Sequence, residues 1–215
     1  MEVPARRVEP ADPGLMDVLA ATDPELMADI DVADATPAAD AEAMDALVRR
    51  SFGFIDLCGF TQLTDEQGVG QAVNALSIFR AVVRERAGWR GVRVAKWLGD
   101  GAMLVATDPR PLLDAVARME MAMDARGCAL PLRAGLAAGR VILFEGDDYI
   151  GRAVNLAARL CDEAQAHQLL VTASLFNAAG QGLHGVSLGR QRFRGFTRAI
   201  EIIDFGDHKE RLGPQ

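Results

Sequence analysis

Cysteine is scarce in this chain. The three residues present, Cys58, Cys128 and Cys161, are an odd number with no CxxC and no metal-ligand spacing. That pattern argues against a disulfide-framed secreted domain and a cysteine-ligated metal, and leads us to expect reduced thiols in a cytoplasmic protein. Long apolar runs are missing as well. None reaches the roughly 18 residues of a membrane span, and the acidic N-terminus does not read as a signal peptide, so no membrane partner is expected. A basic stripe is also lacking, and with a net charge of −7 the chain is not expected to bind nucleic acid. No internal repeat is visible.

What is present is an apolar majority in an uneven charge field. Half of the 215 residues are apolar, enough for one domain with a full core and an appendage. Residues 1–46 hold twelve acidic and two basic residues, a net of −10 that leaves +3 for the rest. This Ala/Asp/Pro-rich leader has almost no aromatics, and a boundary is expected near residues 40–48. Asp12-Pro-Gly-Leu and Asp23-Pro-Glu-Leu each offer an N-cap followed by proline, so the leader is read as partly helical or disordered, with a regulatory role open. The domains expected are the leader 1–46, a catalytic domain 47–208 and a tail 209–215.

Periodicity predicts strands at Ser51–Leu57, Val92–Leu98, Ala102–Ala106, Leu130–Leu136, Arg140–Glu145, Leu169–Thr172, Val186–Phe193 and Ala199–Asp204. Helices are predicted from about Thr64, where Thr64-Asp-Glu-Gln67 reads as a capping box, and at Pro111–Arg126, Ala153–Gln165 and Ser174–Ala179. In the first helix Val69, Val73, Leu76, Phe79 and Val83 fit an inward stripe. The order is that of an α+β, ferredoxin-like βαββαβ core with an extended mixed sheet and helices on one face.

The chemistry concentrates at few positions. Asp56 closes an apolar strand, and Asp100 sits in the turn Gly99-Asp100-Gly101 between two others. Neighbouring strands would bring the two carboxylates together, a donor set for hard cations such as Mg²⁺ or Mn²⁺. The glycine-containing segment from Leu57 through Cys58, Gly59, Phe60 and Thr61 precedes a helix and could offer backbone N–H groups to phosphate. Asn155 and Arg159, four residues apart, fall on one helix face. An amide and a guanidinium there suit a phosphoryl group whose charge is changing. Together these residues suggest metal-assisted chemistry on a nucleoside triphosphate. Taken singly, each acid could be a turn or cap residue, and Lys96 and Arg140 ordinary surface charges. His167, His184 and His208 read as surface or satisfied polar residues, Trp89 and Trp97 as packing residues, and Cys58 as a buried thiol.

Four segments in order and register carry a resemblance: Phe54-Ile-Asp-Leu-Cys-Gly-Phe-Thr61, Lys96-Trp-Leu-Gly-Asp100, Gly139-Arg140 and Asp148-Tyr-Ile-Gly-Arg-Ala-Val-Asn-Leu-Ala-Ala-Arg159. Over roughly residues 48–206 the chain resembles the class III nucleotidyl cyclase catalytic domain, adenylate cyclase type. The resemblance implies that Asp56, Asp100 and the Ile55 carbonyl bind two Mg²⁺ or Mn²⁺ ions per site. It implies that Lys96 and Asp148 read the purine. A lysine donating to adenine N1 and an aspartate accepting from its amine favour ATP over guanine, whose edge is reversed. Asn155 is implied to orient the ribose and Arg159 to stabilise the reacting phosphorus. Arg140 is implied to contact phosphate, a role that Arg194 or Arg198 would share near the C-terminus, where the family often carries lysine. The implied reaction forms 3′,5′-cyclic AMP and pyrophosphate from ATP at sites shared between subunits of a homodimer. A cyclase of another base, pyrimidine or guanine, and a silent nucleotide-binding module are the alternatives.

The −10 leader and the +3 remainder suggest docking of one on the other. Deleting residues 1–46 is expected to raise nucleotide turnover; unchanged activity of a folded, dimeric truncated chain removes that idea.

Overall fold

The computed structural model describes residues 47–88, 91–144 and 148–206. The leader with its two proposed helices, Trp89, His208, the tail 209–215 and Glu145 at the end of one predicted strand lie outside the described residues.

The chain opens with the strand β1 (Leu47–Leu57), then the helices α1 (Phe60–Gln67) and α2 (Val69–Gly88). The strands β2 (Val92–Leu98) and β3 (Gly101–Ala106) lead to the helix α3 (Pro109–Ala125). A long strand β4 (Leu132–Phe144) turns into the short β5 (Asp148–Ile150), followed by the helix α4 (Arg152–Glu163). The strand β6 (Leu169–Thr172), the helix α5 (Ala173–Ala178) and the strands β7 (Val186–Gln191) and β8 (Ile200–Asp204) complete the described order. The sheet runs β2-β3-β1-β4-β6-β8-β7, with β5 paired to β4 beside that path. The β4–β6 pair is parallel and the other pairs are antiparallel. This is the expected α+β architecture with an extended mixed sheet.

The strand β1 lies between β3 and β4 and is buried from Ser51 to Leu57. Side chains alternate along a strand, so both of its faces must be apolar to sit there. Phe52 and Phe54 point into one core cluster with Val154, Ala157, Leu160 and Cys161 of α4. Ile55 and Leu57 point into the other, with Phe79 and Val83 of α2, Leu112 and Met119 of α3, and Leu175 of α5. Helices therefore cover both faces. The expectation of helices on one face fails because the small-residue stripe of α4 packs opposite the other helices.

Three further expectations change. The helix predicted from Thr64 begins at Phe60 and breaks at Gly68, whose φ of 81° a side-chain-bearing residue rarely adopts. Thr64 is inside α1, its hydroxyl donating to the Phe60 carbonyl at 2.8 Å, so it does not cap. Val69 and Val73 then face solvent, 69% and 56% exposed, and the buried stripe of α2 runs through Ala72, Ala75, Phe79, Val82, Val83 and Ala87. The strands predicted at Leu130–Leu136 and Arg140–Glu145 are one continuous β4, so no turn precedes Arg140.

The α4 backbone lies tight against β4 at Gly135. A Cβ built on Gly135 would lie 2.2 Å from the Cys161 nitrogen and 2.3 Å from the Ala157 oxygen, both backbone atoms that cannot yield. Gly135→Ala is therefore expected to push α4 off the sheet and destabilise the fold by about 3 kcal/mol or more, at the upper end of overpacking costs. Urea denaturation of the variant checks this; a midpoint equal to wild type contradicts the packing argument.

Candidate active site

The β1–β3 pairing sets Asp56 opposite Gly101. Asp100 is the residue before Gly101, in the β2–β3 turn, so the two acids sit on adjacent chain ends about 5 Å apart in backbone spacing. Asp56 is only 6% exposed and Asp100 half-buried. Buried carboxylates need a counter-charge. One is built in: Arg133, opposite Asp56 on β4, donates to the Asp56 Oδ2 from Nε at 2.9 Å and from Nη2 at 2.7 Å. Its Nη1 donates to the Asp162 carbonyl near the end of α4 at 3.2 Å. Burial works against the charge of Arg133, but the hydrogen bond and charge of Asp56 outweigh it and raise its pKa.

Among the described residues, no group of three or more His, Cys, Asp or Glu side chains converges on a possible metal position. The chemistry here is thus two neighbouring carboxylates, with the Ile55 backbone beside them and the Ile55 side chain buried in the core. Such a set fits a hard cation that takes its remaining ligands from substrate phosphate and water, as Mg²⁺ commonly does, and does not form a closed protein cage.

Past Leu57 the chain turns through Cys58 and Gly59, whose φ of 79° precedes α1. The N-cap, Gly59, has no side chain with which to cap that helix start, whose N–H groups carry the partial positive charge of a helix N-terminus. The Cys58 N–H donates to the Pro131 carbonyl at 2.9 Å and is committed to the fold. Of the predicted phosphate segment, Gly59 is the N-cap and Phe60 and Thr61 open the first turn of α1.

Lys96 and Asp148 meet: Nζ lies 2.5 Å from Oδ1, with both side chains part-exposed. Their strands are not sheet neighbours, because β3 and β1 lie between β2 and β4. The β4–β5 hairpin folds back over the α4 face of the sheet. Tyr149 packs edge-on against Phe52, ring centroids 5.3 Å apart, and accepts a hydrogen bond from Arg93 Nη2 at 3.0 Å. That contact sets Asp148 over β2.

On α4, residues 152, 155, 159 and 162 form a partly exposed stripe on a helix otherwise buried up to its exposed last residue, Glu163. Asn155 and Arg159 share it, as their spacing predicts. Arg159 Nη1 is 3.9 Å from a carboxylate oxygen of Asp162. Arg140 is elsewhere. It pairs with Arg49, seven residues along β1 from Asp56, about 23 Å away at roughly 3.3 Å per residue. One chain therefore does not bring Arg140 to Asp56. Arg194 and Arg198 are exposed in the β7–β8 connection, which Phe193 and Phe196 pin against the α4 face.

Sequence reasoning missed Arg133. The pattern Leu132-Arg133-Ala134 looks like a strand with an outward charge, and only the β1–β4 register reveals its partner. It also missed Tyr149 and Arg93. Trp97 is a packing residue as expected, edge-on to Phe79 with the guanidinium carbons of Arg80 and Arg84 each 5.2 Å from its ring. His167 pairs with Glu120 at 2.5 Å, and its backbone N–H donates to the Leu132 carbonyl at 2.7 Å, next to Arg133.

The described residues form the class III nucleotidyl cyclase catalytic-domain fold. The structure of the adenylyl cyclase CyaB from P. aeruginosa superposes with a TM-score of 0.68 over 78% of this chain and 98% of that one, at 24% identity. The guanylyl cyclase Cya2 gives 0.64 over 74% and 91%, at 18% identity. These likenesses define the fold. In sequence, the chain is similar to a pH-sensitive adenylate cyclase of Mycobacterium tuberculosis, 31% identical over 155 residues that make up 70% of this chain and 38% of the relative. An adenylate cyclase of Streptomyces coelicolor is 35% identical over 136 residues, 61% of this chain and 34% of that one. The chain thus spans little more than a third of the length of the curated relatives it matches. No family model matches it.

The described cysteines are all unpaired. The Cys58 thiol is pushed up to about 11, chiefly by burial, with Asp56, Glu120 and Asp100 adding to the rise and Arg133 opposing it. Burial likewise raises Cys128, and Cys161 well above its ordinary value. The thiolate is the reactive form, so Cys58 is protonated and slow at pH 8. Iodoacetamide labelling of Cys58, followed by mass spectrometry, is expected to accelerate up to about pH 11. A plateau near the ordinary thiol range contradicts this.

Proposed function

We propose that the chain is an adenylate cyclase that converts ATP to 3′,5′-cyclic AMP and pyrophosphate. The observation that carries the reading is the pairing of Lys96 with Asp148 on the same domain as the adjacent Asp56 and Asp100. Adenine places an acceptor, N1, beside a donor, its exocyclic amine. A lysine and a carboxylate in mutual contact match that edge, and guanine, with the reverse order, would leave buried polar groups unpaired.

Asp56, Asp100 and the Ile55 carbonyl would hold two Mg²⁺ or Mn²⁺ ions. Bound there, such ions supply positive charge to the triphosphate and make the ribose 3′-hydroxyl more acidic. The chain's own residues do the rest by position. The start of α1 from Gly59 presents N–H dipoles to phosphate oxygens. Asn155 holds the ribose so that the 3′-oxygen lines up with the α-phosphorus, and Arg159 stabilises charge gathering there as pyrophosphate leaves. Arg140 and Arg194 bind the triphosphate. Catalysis of this kind rests on alignment and preset charge, without a covalent intermediate on the protein.

A homodimer follows from the spread of these groups. Arg140 lies about 23 Å along β1 from Asp56 in one chain, so a site needing both draws on two. The exposed Leu143 and Phe144, 40% and 50% exposed beside the Asp148 hairpin, fit a surface that a second copy covers.

Incubation with ATP, GTP, CTP and UTP, with Mg²⁺ and then Mn²⁺, is expected to give cyclic product from ATP alone. Activity on another base discards the roles of Lys96 and Asp148, and no product with nucleotide still bound moves the reading to a silent module. Asn155→Ala and Arg159→Ala are each expected to lower kcat by about 10²–10³ with a smaller change in KM, as for loss of one preset transition-state donor. Mixing inactive Asp56→Ala and Asn155→Ala chains is expected to restore one site per heterodimer. A mixture that stays inactive while folded and dimeric refutes the shared site.

A further inference from the structure

Among the described residues, Arg133 is a charged group beside Asp56 that no motif announces, and it is anchored on three sides. The β1–β4 register fixes its backbone opposite Asp56. Nε and Nη2 both converge on Asp56 Oδ2, and Nη1 is held by the Asp162 carbonyl on α4. A carboxylate at a strand end otherwise turns about a broad, two-fold side-chain torsion. Two N–H groups on one oxygen stop that rotation, and the contact to α4 stops the guanidinium from following it.

We propose that Arg133 is a positioning residue for the cation site, holding the Asp56 carboxylate in its ligating orientation before a cation arrives. The inference rests on the reading of Asp56 as a cation ligand. Two effects of Arg133 oppose each other there. Its positive charge repels a divalent ion, so removing it would tighten binding. Its fork orients the ligand, so removing it weakens binding, as loss of a partner that orients a ligating side chain commonly does by 10- to 100-fold. Three hydrogen bonds from one rigid planar group place Arg133 in the second regime. Lysine, a point donor on a flexible stem, keeps the charge and loses the fork.

The test is direct Mn²⁺ binding to the full chain, followed by electron paramagnetic resonance in the presence of 3′-deoxy-ATP, which lacks the attacking hydroxyl. Arg133→Gln and Arg133→Lys are each expected to raise the Mn²⁺ Kd about tenfold or more, while turnover at saturating Mn²⁺ largely recovers. Thermal melts establish that each variant is folded, and if the Gln variant is not, the charge-retaining Lys variant decides. An unchanged or lower Kd in a folded variant overturns the proposal and makes Arg133 a counter-ion only. Asp56→Ala separates this from the underlying reading. If it binds Mn²⁺ as wild type does, Asp56 is no cation ligand and both inferences fall; if it loses binding while the Arg133 variants keep it, only the role of Arg133 falls.

Discussion

A carboxylate at the end of a strand buried on both faces constrains the rest of this structure. The strand β1 can lie in mid-sheet only if Phe52 and Phe54 fill one core and Ile55 and Leu57 the other. The same strand delivers Asp56 to its end at 6% exposure, where an uncompensated charge would be costly. Arg133 offsets that cost from the neighbouring strand, and its remaining N–H ties the pair to the end of α4. Sheet register, ion pair and helix placement are therefore one arrangement.

The approach of α4 to the sheet follows from the same economy of space. Gly135 on β4 and the alanines of α4 let the two backbones touch, which fixes where the helix lies. With the inner stripe committed to packing, Asn155 and Arg159 face outward, away from their own sheet. Arg140 pairs with Arg49, seven residues along β1 from Asp56, so one chain leaves the two apart.

Much of this was legible in the sequence because it is local. The strands at Val92–Leu98 and Leu169–Thr172 have the predicted ends, since their apolar runs are bounded by turn residues. The pairing of Asp56 with the Asp100 turn follows from two strand ends meeting, and Lys96 and Asp148, singled out together in the sequence, make contact. Errors occurred where a local rule lost to a non-local one. Thr64 has the sequence of a cap, but the helix starts earlier because Gly59 lets the chain turn directly off β1. Gly139 looks like a turn, yet β1 pairs with β4 through that position and keeps it extended. Val69 and Val73 fit an inward period, but the break at Gly68 frees the start of α2 from the register of the helix before it.

By itself the sequence determined the ends of the strands Val92–Leu98 and Leu169–Thr172, the two acids at strand ends, the Asn155 and Arg159 face and the sharp charge contrast at residue 46, because these depend on spacing along one chain. The tertiary structure alone decided that helices cover both faces, that Arg133 belongs to Asp56 and that Tyr149 pins the hairpin carrying Asp148. Each of those depends on which distant strands become neighbours. That choice is set by the burial of whole faces and by the close fit of α4 on Gly135, neither of which is written at any single position.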